Sequence, residues 1–146
     1  MVSSRYPKKL LPVVYQKYLM HRKLIDAEFK GKNSGISVIC VSTYRDAEAQ
    51  HEAYKIGRDI PGRKVTNADW DLSFHSWRCA YDLLILAHGK VLANGDHPYY
   101  YKIGELGESV GLNWAGRWVG DLKESAHFQY TNGLTIKDLR AGKQIT

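Results

Sequence analysis

Asp82 sits inside an apolar run, Ala80-Tyr81-Asp82-Leu83-Leu84-Ile85-Leu86-Ala87, and this placement constrains the chain more than any other feature. The run is too short for a typical helix and reads as a strand, followed by a tight turn at His88-Gly89-Lys90 and a second strand at Val91 to Ala93. A carboxylate flanked by Tyr81, Leu83, Leu84 and Ile85 is buried unless it faces a site. Burying it charged and alone costs several kcal/mol or more, so it must be paired or bound to a metal.

The rest of the chain supplies elements to pack around this hairpin. Leu10 to Phe29 carries Leu11, Val14, Tyr15, Tyr18, Leu19, Leu24 and Ile25 at mostly three- and four-residue spacings, the pattern of an amphipathic helix. It ends near Gly31, where Lys32, Asn33, Ser34 and Gly35 read as a loop. Ile36 to Thr43 is β-branched and apolar and suits a buried strand, with Tyr44 and Arg45 at its end. Asp46 to Ile56 reads as a short helix stopped by Gly57. The stretch from Gly57 to Ser73 reads as a long surface loop, and loops of that length commonly frame a site. Tyr99 to Val110 predicts a helix ended by Gly111; Trp114 to Gly120 leads to a strand at His127 to Tyr130; and Thr135 to Arg140 predicts a closing helical turn capped by Gly142. Helices separate from a meander of strands, so the expected class is α+β: a small antiparallel sheet flanked by helices, in one domain over residues 1–146.

Charge narrows the partners. Lys and Arg number 21 against 15 Asp and Glu, which leaves +6 and favours something anionic: nucleic acid, a phosphate-rich membrane or a bacterial wall. The basic residues are scattered and form no recognised nucleic-acid module, so no nucleic-acid partner is expected. No apolar stretch approaches the roughly 20 residues that span a bilayer, which predicts no stable membrane insertion, and the first residues do not read as a signal peptide. Cys40 and Cys79 both lie in apolar segments and read as free core thiols in a reduced setting.

Of the six histidines, His21 and His51 read as polar helix-face residues, His88 as a turn residue and His97, before Pro98, as a structural residue at a helix start. His75 and His127 differ because acids accompany them. His75 lies at the mouth of the strand that holds Asp82, and Glu124 stands three residues before His127. Two His and one Asp, with a fourth position open, is the ligand set of a catalytic zinc site, where a nearby carboxylate takes the proton of the attacking water. By spacing alone a second reading stays open, in which backbone donors satisfy Asp82 and His127 is a half-buried strand residue.

Ser73-x-His75 with Asp82, then Glu124-x-x-His127, resembles the signatures of the zinc peptidases that cut peptidoglycan, a group of D-alanyl-D-alanine carboxypeptidases and dipeptidases and of phage and bacillar L-alanyl-D-glutamate endopeptidases. The likeness runs from about residue 36 to 142. It takes in Ser42-Thr43-Tyr44-Arg45, the Gln50 to Ala68 region, Gly111-Leu112-Asn113-Trp114-Ala115-Gly116-Arg117-Trp118, His127-Phe128-Gln129 and the Gly133 to Gly142 tail, which is similar to the phage members in particular. The resemblance implies that His75, Asp82 and His127 hold Zn2+ and that Glu124 is the general base and then the acid, with Asp121 as fallback. It further implies that Arg45 binds a substrate carboxylate or polarises the scissile carbonyl, and that Ser73 supports substrate or ligand geometry. Two positions depart from many relatives, Asp71 and Arg78, where the relatives carry Gly; a positive φ at Arg78 would strain its backbone, and a bulky cation beside the pocket would change which substrate enters.

The expected function is therefore a monomeric zinc endopeptidase for the L-alanyl-D-glutamate bond of peptidoglycan, a phage or prophage endolysin held in the host cytoplasm before release to the wall. The alternatives are a D-alanyl-D-alanine carboxypeptidase, or a wall-binding protein whose peptidase site has decayed.

Overall fold

In the computed structural model, which describes residues 1–30 and 35–146, an open antiparallel sheet of five strands carries four helices, an α+β arrangement. The loop read at Lys32, Asn33 and Ser34, and the helix end placed at Gly31, lie outside the described residues. Helix α1 (Pro12–Lys30) opens on a proline, whose missing N–H would have had no partner in the first turn anyway. It buries Val14, Tyr18, His21, Ile25 and Phe29, one stripe at three- and four-residue steps.

That stripe rests on strand β2 (Ala80–Ala87), whose Tyr81, Leu83 and Ile85 are fully buried while Asp82 points to the other face, as the two-residue period of a strand requires. The Tyr81 ring meets Tyr18 edge-on at 5.0 Å and stacks on Phe128 at 5.7 Å. Strand β1 (Ile36–Ser42) pairs along one edge of β2 from Ile36↔Ala87 to Ser42↔Asp82, with an irregularity between Cys40 and Ser42.

The strands do not form the expected meander. Strand β3 (Lys90–Val91) reaches only Leu86 and Ala87 on the second edge of β2, so the remainder of that edge, Ala80 to Asp82, is left for β5 (His127–Gln129). Strand β4 (Asn113–Trp114), not among the strands expected from the sequence, closes the order β1-β2-β5-β4. The hairpin turn is shorter than read: His88 and Gly89 both take positive φ, at 49° and 80°, the two-residue turn whose twist matches that of the strands it joins.

The other helices are fixed by local chemistry. Asp46 caps α2 (Ala47–Lys55) through the Ala49 N–H, and His97 Nδ1 accepts from the Tyr99 N–H at the start of α3 (Pro98–Ser109). Thr135 and Asp138 form a reciprocal capping box on α4 (Ile136–Arg140). Gly104 and Gly107 let α3 lie against the Trp114 and Phe128 rings; a Cβ on Gly107 would stand 2.7 Å from Phe128. Cys79 is fully buried and Cys40 half-buried, both free, with burial pushing their thiols up to about 12 and about 11.

One histidine departs from its reading. His21 is fully buried, because the polar face expected for it is the face α1 turns to β2 and α3. Its Nε2–H donates to the Ile103 carbonyl at 2.8 Å, which leaves Nδ1 to accept from the Tyr81 hydroxyl at 2.7 Å. Burial pushes its pKa down to about 4 from 6.5, so the fold holds the ring neutral. Stability from this neutral ring is complete above pH 6.5 and is lost as pH falls from there toward about 4, where the unfolded chain binds a proton that the fold refuses. Between pH 7 and 5 the native chain is expected to lose about 2 kcal/mol more unfolding free energy than His21→Gln, measured by urea titration; parallel losses would show that His21 does not carry the slope.

Candidate metal centre and its cleft

Ser42, Asp82 and His127 form one row across β1, β2 and β5, the register that brings three distant parts of the sequence to one place on the sheet. Asp82 and His127 point to the face opposite α1. His75 enters from a short 3-10 turn, Phe74–Trp77, whose first N–H groups are capped by Ser73: its Oγ accepts from the His75 N–H at 3.2 Å.

The tautomer of each imidazole follows from an acceptor on its far side. His75 Nδ1–H donates to the Thr43 carbonyl at 2.8 Å, leaving Nε2 to face Asp82 Oδ2 at 3.3 Å. His127 Nε2–H donates to Gln129 Oε1 at 2.8 Å, leaving Nδ1 to face Asp82 Oδ1 at 3.2 Å. Gln129 can do this because it lies two residues along the same strand, on the same face. His75, Asp82 and His127 thus turn two imidazole lone pairs and a carboxylate toward each other, with ligand atoms all within 4.8 Å. Two oriented neutral imidazoles and one carboxylate suit a tetrahedral divalent ion with one position left open, and the second-layer acceptors are those that such sites use to fix their histidines.

The charges reinforce one another. Burial alone would raise the Asp82 carboxyl, but protons on His75 Nε2 and His127 Nδ1, the positions a metal would take, hydrogen-bond to it and hold it well below the usual carboxylate range. Burial lowers His75; at His127 burial is outweighed by the Asp82 hydrogen bond and charge, and its pKa rises. Arg45 approaches Asp82 Oδ2 at 3.5 Å from the other side. Its buried guanidinium is aimed by Ser42 Oγ, which accepts from Nε at 3.2 Å, and by Gln50 Oε1, which accepts from Nη1 at 2.9 Å. Gln50 in turn donates to Thr66 Oγ1 and to the Ala68 carbonyl, so the group that orients Arg45 also anchors the 66–68 loop. Sequence reading placed Gln50 in the resembling region without assigning it a task; two of its partners, Thr66 and Ala68, lie well along the chain, so no local spacing marks it.

These residues floor a cleft of about 230 Å³ whose walls include Ala68, Ser73, Phe74, Trp118 and Glu124. The Glu124 carboxylate stands 3.6 Å from His127 Nδ1, and burial raises its pKa, which His127 partly offsets. Asp121 lies outside this cleft, exposed on the turn Gly120–Leu122, where its carbonyl accepts from Asn67. The structure thus gathers Arg45, Ser73, His75, Asp82, Glu124 and His127 at one cleft and leaves Asp121 at its margin.

The two departures from the resembling sequences act elsewhere. Arg78 takes the left-handed conformation, φ 58°, as a glycine position would, but its side chain leaves the pocket: the guanidinium lies 3.8 Å over the Tyr44 ring and donates to the Lys9 carbonyl. The Arg78 side chain is therefore not among the residues that line the cleft, where an influence on substrate entry was expected of it. Asp71 pairs with Arg140 at 3.2 Å.

Residues 66–130, which include His75, Asp82, Glu124 and His127, match a family described as D-alanyl-D-alanine carboxypeptidase. The fold is shared with Serratia marcescens L-Ala D-Glu endopeptidase ChiX, at 19% identity over 91% of this chain and 86% of that one, with a TM-score of 0.57. The family match covers the segment that holds the candidate ligands, and the shared fold extends over most of the chain.

Proposed function

We propose that this protein is a zinc-dependent endopeptidase that hydrolyses the L-alanyl-D-glutamate bond of peptidoglycan stem peptides, serving as a monomeric phage or prophage endolysin that collects in the host cytoplasm before it reaches the wall. The observation that carries the reading is the trio His75, Asp82 and His127 with Glu124 beside it at 3.6 Å, on a fold shared with an L-Ala D-Glu endopeptidase. The +6 charge favours an anionic wall. Among the described residues no helix is long and apolar enough to cross a membrane.

A zinc ion held by His75 Nε2, Asp82 and His127 Nδ1 would supply Lewis acidity, polarising a carbonyl and acidifying water. Glu124 faces the same space and takes the proton of the attacking water, then delivers it to the leaving amine. Its raised pKa suits both halves of that task, since it makes the carboxylate a stronger base toward the water while the protonated form remains acid enough to supply the leaving amine. Arg45, with Nε and Nη1 already fixed, keeps Nη2 for Asp82 and the cleft, where it stabilises charge that develops on the scissile carbonyl oxygen. Ser73 holds the His75 turn at the cleft wall. The matched family's description favours a second reading, D-alanyl-D-alanine carboxypeptidase, with the same machinery applied to the far end of the stem.

Zinc is expected to bind at one ion per chain and to be lost in His75→Ala. Gln129→Leu, which removes only the acceptor behind His127, is expected to weaken zinc about 10- to 100-fold in a competitive chelator titration; unchanged affinity would break the link between that hydrogen bond and the metal. Glu124→Gln is expected to keep zinc and lower kcat by about 10² to 10⁴, whereas Asp121→Asn stays near the native rate; the reverse pattern would exchange their roles. Digestion of purified peptidoglycan, read by amine tagging and mass spectrometry, is expected to expose new N-terminal D-glutamate. Release of free D-alanine without that terminus would replace the endopeptidase by the carboxypeptidase.

A further inference from the structure

The cleft over His75, Asp82 and His127 is the middle of a longer groove. Val65, Thr66, Asn67 and Glu124 line both the cleft and a neighbouring hollow that adds Lys64, Asp121 and Lys123. Phe74, Trp118 and Gln129 line both the cleft and a hollow on the opposite side, which adds Asn113, Thr131 and the Gly133 to Ile136 segment. The two arms differ in kind: the first has cations and acids together, and the second has no charged side chain. Lys123 is already held by Asp96 at 2.6 Å and by the Tyr101 hydroxyl, whereas Lys64 is exposed with no ion pair among the described residues.

We infer that the groove sorts its substrate by charge: the arm with Lys64 receives the charged leaving half, Lys64 pairing with a carboxylate, and the uncharged arm beyond Trp118 receives a neutral acyl half. The inference rests on the peptidase reading above and gives its substrate a direction. Glu124 fixes that direction, because the acid that protonates the leaving amine must stand on the leaving side, and Glu124 lines the charged arm but not the uncharged one. A cut between L-alanine and D-glutamate produces this division. Its acyl half ends in an L-alanine amide-linked to the sugar's lactyl group, without charge, while its amine half holds the D-glutamate carboxylate and the diamino residue. A cut at the D-alanine end would place those charges in the acyl half, where an unpaired charge meets an uncharged wall.

Two pairs of synthetic stem peptides test this with the full chain loaded with zinc, each product identified by mass. The first pair differs only in whether the D-glutamate α-carboxyl is free or amidated. The native protein is expected to favour the free carboxyl, and Lys64→Met to reduce that preference in kcat/KM about three- to tenfold, with Lys64→Arg restoring it. The second pair carries L-alanine either N-acetylated or with a free ammonium. The acetylated peptide is expected to be cut at least about tenfold faster, and Asn113→Asp, which puts an acid in the uncharged arm, to narrow the gap. Cleavage at the L-alanyl-D-glutamate bond with neither preference, or with preferences that the variants leave unmoved, overturns the charge sorting alone. Release of D-alanine in place of that cleavage overturns the endopeptidase reading and the direction together.

Discussion

The half-buried carboxylate of Asp82 is the constraint on which the rest of this structure turns. In β2 it sits between positions filled by Tyr81 and Leu83, both fully buried, and faces away from α1. Without partners it would cost several kcal/mol, and three cationic or hydrogen-bonding groups converge on its two oxygens: His75 at 3.3 Å, His127 at 3.2 Å and Arg45 at 3.5 Å. Each comes from a different part of the chain. Meeting the needs of one side chain therefore orders the 3-10 turn before β2, the pairing of β5 with β2 and the end of β1.

The same economy extends one layer outward. The Thr43 carbonyl that fixes His75 belongs to the end of β1, and the Thr43 N–H and hydroxyl are in turn bound by the Ser4 and Tyr6 carbonyls of the N-terminal segment. Gln50 ties Arg45 to the 66–68 loop, so the group that balances Asp82 is joined by hydrogen bonds to the wall of the cleft. Buried polar groups of this kind are satisfied together or not at all, which makes the cleft preorganised for charge rather than merely open to it.

Much of the site was legible in sequence because it is written in local spacing: Ser73 to His75 in one turn, Glu124 to His127 ahead of one short strand, and Asp82 conspicuous in an apolar run. The helices were legible from their apolar stripes and caps, to within a residue or two. What sequence left out is non-local. The strand order depends on how little of β2 the two-residue β3 covers, and β4 is too short for any periodicity to mark it. His21 read as polar because its partners, Tyr81 and Ile103, lie far along the chain, and no pattern within α1 announces a histidine satisfied from both sides. Gln50 escaped assignment for the same reason.

Arg78 shows how a departure from a resembling pattern can be absorbed without touching chemistry. A non-glycine residue in the left-handed region costs on the order of 1 kcal/mol. The contact of its guanidinium with the Tyr44 ring contributes about 0.5 to 1 kcal/mol in return, and its hydrogen bond to the Lys9 carbonyl adds to that. The Arg78 carbonyl also accepts from the Leu11 N–H, just ahead of α1, so the strained residue joins the first helix to the start of β2. Arg78 itself caps the turn that carries His75, while its side chain lies outside the cleft lining. A decayed site was an alternative because of this residue, and its motive disappears once Arg78 is seen to face Tyr44. What Arg78 adds is a brace between the start of α1 and the start of β2, the strand that carries Asp82.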